Sequence, residues 1–437
     1  MSPSKAPLKI ALKKDPIVKN AIQTVIQGRE IFRFDTFGDE QFWGDALHLH
    51  QAIEGQQFGG VGAGLPPAQA LELGLKVDVD ALSKETVQAL KAGKVDLNDV
   101  TVTLALLKQD AVIGVKGTFN GNALQSVGIT CALCHSTVDD SLMHGVGHRL
   151  DGWANRDLNV GAIIAFAPNV QPLTDLLKIV NPNVTDDQVR AVLNGWGPGK
   201  FDAELILDGK TATPDGKPSA TLLPNAYGLA GFNQHTWTGD WGSIPYWNAF
   251  VAVLEMHGVG NFFDPRLDDP VKFPIAAAKK FGHIEVDPDA DLVTSKLPPL
   301  HFYQLALPAP KPTAGVDFDE AAAKRGDELF GGKANCVKCH AEPLWTDPGW
   351  NLHTPAEMKI DDFQAKRASG DTYKTMNLAG IFVREQGLYM NPENKGRFYH
   401  DGRFKTLLDV VESYNDRFGL GLTDAEKQDL VEYLKSL

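Results

Sequence analysis

Four cysteines in 437 residues are too few for a disulfide-stapled scaffold. No apolar run approaches the roughly 20 residues needed to cross a bilayer, so no membrane span is expected. Positive charge is not in excess either. Lys and Arg number 42 against 55 Asp and Glu, and the resulting net charge of −13 argues against nucleic acid as a partner. The opening Met1-Ser2-Pro3-Ser4-Lys5 lacks the apolar core of a secretion signal. The glycine-rich stretch 59–64 lacks the flanking strand and the lysine of a phosphate-binding loop. No Ser-His-Asp or zinc-type constellation stands out, and no solenoid repeat is present. What remains is an ordinary globular composition, long enough for two or three domains.

All four cysteines fall into two copies of one pattern, Cys131-Ala132-Leu133-Cys134-His135 and Cys336-Val337-Lys338-Cys339-His340. C-x-x-C-H is the attachment signature of a c-type haem. Two thiols add across the two vinyl groups of the porphyrin, and the following histidine is placed to ligate the iron from the proximal side. A chance C-x-x-C-H is rare, and two that consume every cysteine are far rarer. Two covalently bound haem c groups are therefore expected, with Cys131, Cys134, Cys336 and Cys339 as attachment points and His135 and His340 as iron ligands. Such attachment takes place outside the bacterial cytoplasm. The expected location is periplasmic or secreted, in a mature form from which the signal peptide is absent.

Along the chain, residues 1–27 form a basic lead-in that passes into a helix over 18–26. Gly28-Arg29-Glu30-Ile31-Phe32 echoes Gly326-Asp327-Glu328-Leu329-Phe330, which immediately precedes the second haem motif. In the first copy more than a hundred residues separate that glycine from its cysteines, so an insertion is expected at about 50–120. Within it, a helix is predicted over 83–92 and a hairpin of two strands over 100–107 and 111–117. Residues 160–166 read as buried, and Thr185 to Gln188 as a capping box. Residues 195–232 read as an irregular lobe, 246–256 as a helix, and 265–312 as a Pro-rich connector. The last helix carries a capping box from Thr423 to Glu426. The expected class is mainly α: two cytochrome c-like haem domains with an inserted irregular or α+β lobe. The first domain is placed at 1–180, the lobe and connector at 181–314 and the second domain at 315–437.

Two further stretches carry a family resemblance. Arg397-Phe398-Tyr399-His400-Asp401-Gly402-Arg403, followed by Thr406-Leu407-Leu408-Asp409-Val410-Val411, closely resembles a C-terminal segment of the bacterial di-haem cytochrome c peroxidase superfamily. Gly145-Val146-Gly147-His148 with Gly152-Trp153-Ala154-Asn155-Arg156 is similar, more loosely, to a loop of the same peroxidases. That superfamily also includes the di-haem enzyme that matures the quinone cofactor of methylamine dehydrogenase, and the rubber oxygenases. The long approach to Cys131 looks more like the rubber-oxygenase branch. The resemblance implies that His148 is a displaceable ligand and the catalytic residue of the first haem. It also implies a calcium ion near Asn155, although the family's Thr-x-Pro partner is broken here at Thr375-Met376-Asn377.

The sixth position on each iron decides the chemistry, since a second strong ligand gives an electron-transfer haem and an open position admits a small oxidant. For the first haem the candidates are Met143, His144 and His148. Alternatively, both histidines face solvent over a five-coordinate haem. For the second haem they are His400, Tyr414, Met376, Met390, Met358 and His353. Tyr414 stands at the family's ligand position, where the quinone-maturing enzyme uses tyrosine, and His400 is the alternative. Trp237, Trp241 and Trp247 are either electron relays or packing. The expected function is a di-haem oxidoreductase. Electrons would pass from the C-terminal haem to an N-terminal haem that handles hydrogen peroxide or dioxygen, with a small redox protein as partner. The alternatives are an oxygenase on an organic substrate and a non-catalytic electron-transfer cytochrome.

Overall fold

Helices are the main regular structure of the described residues, and the strands among them form five two-stranded ladders. The computed structural model describes residues 15–210, 220–231 and 233–437. The start of the basic lead-in, at 1–14, lies outside them, as does 211–219 within the lobe read as irregular. No single helix among the described residues is long and apolar enough to cross a membrane.

The first helix, Pro16–Phe34, is longer than predicted because Asp15 caps it and Pro16 starts it. Its Gly28 lies against the backbone of Pro299 and the side chain of Tyr303, leaving no room for a Cβ. Phe32 packs on Tyr303 with ring centroids 5.5 Å apart. The crossing partner is Leu297–Ala306, inside the segment read as a connector. That reading is corrected: its prolines sit at helix N-termini, at Pro274 and Pro298, where a missing N–H costs nothing. The second copy repeats the arrangement. Glu320–Gly331 crosses Asp424–Lys435, Gly326 meets the backbone at Asp429, and Phe330 packs on Tyr433 at 5.0 Å.

The segment expected as an insertion, at about 50–120, falls in sequence between the two helices of the first pair. The helix Lys84–Lys91 forms behind the Ser83 cap as predicted. The strand expected at 100–107 is instead a helix, Val100–Lys108, and the hairpin pairs Val115–Asn120 with Ala123–Ile129. Two forces override the β-branched alternation of Val100-Thr101-Val102-Thr103. Asp99 accepts from the Thr101 N–H as an N-cap, and Thr103, Leu104 and Leu107 bury one helical face. Part of the lobe read as irregular is ordered, with a helical turn at Leu205–Asp208 and a ladder of Lys200–Phe201 with Thr221–Leu222. His48 is a left-handed N-cap and His50 lies within Leu49–Glu54, so they do not share a helical face. Both predicted capping boxes are present.

Candidate haem sites

The first motif leaves the hairpin at Ile129 and turns through Ala132–His135 into the strand Ser136–Val138. Loop 152–156 clasps it: Gly152 N–H donates to the His135 carbonyl at 2.8 Å, and Asn155 N–H to the Cys134 carbonyl at 2.9 Å. Cys131 and Cys134 are unpaired thiols, and burial pushes each up to about 12. Burial also holds the His135 imidazole neutral, down to about 4, opposed by the Pro224 carbonyl. A neutral imidazole beside two unpaired thiols is the donor set that a covalent haem requires.

The second motif follows Glu320–Gly331 directly. His340 Nδ1 lies 2.9 Å from the Trp345 carbonyl, which fixes the ring and leaves Nε2 free to bind a metal. Cys336 and Cys339 are likewise unpaired, and burial pushes Cys336 up to about 11. The residues present at both motifs fit a haem c.

Tyr414 projects from the helix Leu407–Phe418, which opens with a capping box between Thr406 and Asp409. Its phenol is within electrostatic reach of both Cys336 and Cys339, and burial raises its pKa. The Arg417 guanidinium covers the Tyr414 ring at 4.5 Å and donates to the Tyr399 hydroxyl at 3.1 Å. His400 has different company. Its ring stacks on Tyr373 at 5.2 Å, its carbonyl accepts from Leu222 N–H, and the charges acting on it belong to Asp401, Arg403, Asp361 and Lys200. Both ring nitrogens of His353 are held by carboxylates, Nε2 by Asp347 at 2.9 Å and Nδ1 by Glu357 at 3.0 Å.

His148 is exposed on the hairpin beyond His135. Its Nδ1 lies 2.9 Å from Asp80, which raises its pKa, and its backbone N–H donates to Asp139. His144 is also exposed, beside Asp140 at 3.1 Å. Met143 lines an apolar cavity of about 80 Å³ in the inserted lobe, together with Leu133 of the first motif. Asn155 does not fit a calcium ion. Its amide donates to the Gly74 carbonyl, its oxygen accepts from Asp157 N–H, and Asp157 is already neutralised by Lys76 at 2.7 Å.

Glu255 was not singled out from the sequence. It ends a π-helical turn, Val251–Glu255, that follows the helix Ile244–Phe250. Its carboxyl acts on Cys134, and its buried Oε1 has no partner. Burial, with Glu204 and Asp202 nearby, raises its pKa well above the ordinary carboxylate value, which favours the protonated form. The turn is anchored from the first helix's side. Trp43 Nε1 donates to the Met256 carbonyl at 3.0 Å, and the His257 ring stacks on Phe42 at 3.6 Å. The available signal was the Glu255-Met256-His257 run at a helix end, whose burial the sequence does not display. Of the three tryptophans, Trp241 and Trp247 pack on Phe250. Trp237 instead donates to the Leu222 carbonyl at 2.7 Å, while its own carbonyl accepts from Lys374 N–H.

No family model matches the chain. A cytochrome-c peroxidase, IdrP1, from Denitromonas iodatirespirans is 26% identical over 289 residues, covering 56% of this chain and 73% of that protein. Its namesake from Pseudomonas sp. (strain SCT) is 26% identical over 298 residues, covering 56% and 72%. A solved hydrazine synthase from Kuenenia stuttgartiensis is 20% identical, covers 50% of this chain and 72% of its own, and overlaps with a TM-score of 0.29, too low to bear on the fold. The two peroxidase matches are distant. At a coarse level they support kinship with the bacterial di-haem cytochromes c.

Proposed function

We propose that the chain is a periplasmic di-haem c oxidoreductase of peroxidase type. Cys131 and Cys134 with His135 hold one haem, and Cys336 and Cys339 with His340 hold the other. Bound there, the haems would supply redox chemistry, with electrons from a small redox protein entering at the His340 site and leaving at the His135 site to hydrogen peroxide or dioxygen. The observation that carries this reading is Glu255: a carboxyl whose pKa burial raises, within electrostatic reach of Cys134, with a buried Oε1 that no hydrogen bond engages. Reduction of a peroxide needs a proton delivered at the oxygen that leaves, and a carboxyl of raised pKa is suited to give it. An electron-transfer cytochrome has no use for such a group.

Tyr414 would ligate the iron of the second haem, a reading supported by its electrostatic reach to Cys336 and Cys339. His148, engaged by Asp80 in solvent, would not hold the first haem's iron in this arrangement, leaving His135 as its proposed ligand. Trp237 ties Lys374 to Leu222, whose N–H in turn donates to the His400 carbonyl, and it is proposed as a relay at the second site. A second reading, oxygenation of an apolar substrate, is favoured by the apolar cavity that Leu133 and Met143 share. Its size suits dioxygen better than an extended hydrocarbon.

The test is turnover by the half-reduced protein. Mass spectrometry first establishes two haems per chain. Hydrogen peroxide should then oxidise a reduced small cytochrome far faster than free haem does. Two attached haems with a rate no better than free haem would remove the peroxidase reading, and retained dioxygen binding would favour the oxygenase.

A further inference from the structure

Where the C-terminal part of the chain meets the first motif, three arginines converge with no acid among them. Arg156 is 5% exposed and Arg384 9% exposed. Arg156 Nε and Nη1 and Arg384 Nε are buried without a hydrogen-bond partner. Arg384 donates to the Arg397 carbonyl, and Arg397 Nη1 donates to Pro198 at 2.8 Å and to Asn394 at 2.9 Å. The neighbouring Gly199 lies against the Arg156 backbone with a left-handed φ of 66°, where a Cβ would meet the Arg156 carbonyl at 2.6 Å. The groups within electrostatic reach of Arg156 are Arg384, Tyr227 and Arg397, and those of Arg384 are Tyr227 and Arg397. Tyr227 is a buried phenol and stays neutral. Asp157, the acid nearest Arg397, is engaged by Lys76, Asn394 and the Asn391 N–H.

Buried charge without a counter-charge is among the most costly arrangements a fold can contain. Two guanidinium groups with orphaned N–H donors are a site for two carboxylates, or for one dianion, held by charge-assisted hydrogen bonds. The place identifies the anion. Arg156 follows Asn155, whose N–H holds the Cys134 carbonyl, and Arg156 acts on the His135 ring. None of the three acts on His340 or Cys336. We propose that Arg156, Arg384 and Arg397 cradle the two propionate carboxylates of the haem attached at Cys131 and Cys134. The C-terminal part of the chain then supplies two of the three arginines that hold the N-terminal haem. This rests on the haem-attachment reading above.

The test compares Arg156→Met, Arg384→Met and Arg384→Lys with the parent chain, each with its haem count established by mass and its folding by thermal melting. Potentials of both haems are measured by spectroelectrochemistry from pH 5.5 to 9. Each methionine variant should move the first haem's oxidised-to-reduced ratio at fixed poise about tenfold toward oxidised, or about 59 mV for one electron. It should also give that haem a new pH-dependent step, from a propionate freed to titrate, while the second haem stays unmoved. Arg384→Lys should restore most of the shift and abolish the step, and it serves as the folded comparison if the methionine variants fail to fold. Two attached haems with no shift and no step in the first would overturn the cradle and leave the attachment reading intact. Shifts confined to the second haem would overturn it too. A parent potential that differs between chloride and phosphate, with the difference lost in the variants, would make a free anion the occupant and also overturn it. Loss of a haem from the parent chain would instead refute the attachment reading.

Discussion

Glu255 and Tyr414 test the two sites residue by residue. Glu255→Gln keeps the shape and removes the proton, so peroxide turnover should fall by a factor of about 10² to 10⁴ with haem content and spectra unchanged. An unchanged rate sinks the proton-donor role. Tyr414→Phe should convert the second haem from low-spin to high-spin, read by electron paramagnetic resonance, while His400→Ala leaves it alone. The reverse pattern would make His400 the ligand. If neither substitution changes the signal, a methionine is the next candidate. The proposed attachment residues are legible in the sequence because their pattern is local: two thiols and an imidazole at the spacing that would grip one porphyrin. Glu255 and Arg156 were not, because their significance comes from partners far away in the chain. Glu255 faces Cys134 across more than a hundred residues, and Arg384 joins Arg156 across more than two hundred.

At the scale of elements, the echo between Gly28…Phe32 and Gly326…Phe330 was visible in the sequence, and the structure supplies its reason. In both helices the glycine lets a second helix approach until backbone meets backbone. In the first copy that second helix is Leu297–Ala306, so we infer that the first haem-binding unit closes with it. The sequence hid this because the prolines that start the helix also look like linker punctuation. The hairpin was displaced for a similar reason. Its signal was Gly121-Asn122, the two-residue loop between the paired Asn120 and Ala123, with Gly121 at a φ of 63°, rather than the alternation upstream. Gly28→Ala and Gly326→Ala should each lower stability by about 1–3 kcal/mol through overpacking. Gly331→Ala, with open space around it and no left-handed φ, should be neutral or slightly stabilising. Thermal melts of the three variants decide it: crossing variants that melt with the parent protein would mean that the contact is slack.

For the whole molecule, the buried acids set an unusual dependence of stability on pH. Burial pushes Asp39 up to about 9 and Glu204 up to about 7, the latter opposed by Arg367. Both hold a proton in the folded chain that the unfolded chain releases near its ordinary value of about 4. The folded state therefore binds more protons between those values, and stability falls as pH rises through 7 and on toward 9. Carboxylates shifted the other way oppose this at the acid end. Hydrogen bonding to Lys333 holds Glu426 down to about 2, and Thr294, Val293 and Asn261 hold Asp291 low despite its partial burial. Their contribution is present above about 4 and is lost as pH falls through their folded values. For these carboxylates the two limbs meet at about pH 4, and His135 and His257, held down to about 4 by burial, add stability as pH rises from there to about 6.5. Urea midpoints of the haem-loaded protein from pH 4 to 9 should therefore fall clearly above about pH 6.5. Glu204→Gln should flatten the acids' limb that ends at about 7, and Asp39→Asn the limb that continues to about 9. A parent protein whose midpoint is level from pH 5 to 9 would show that these two acids ionise on folding, and that water or a rearranged neighbour solvates them.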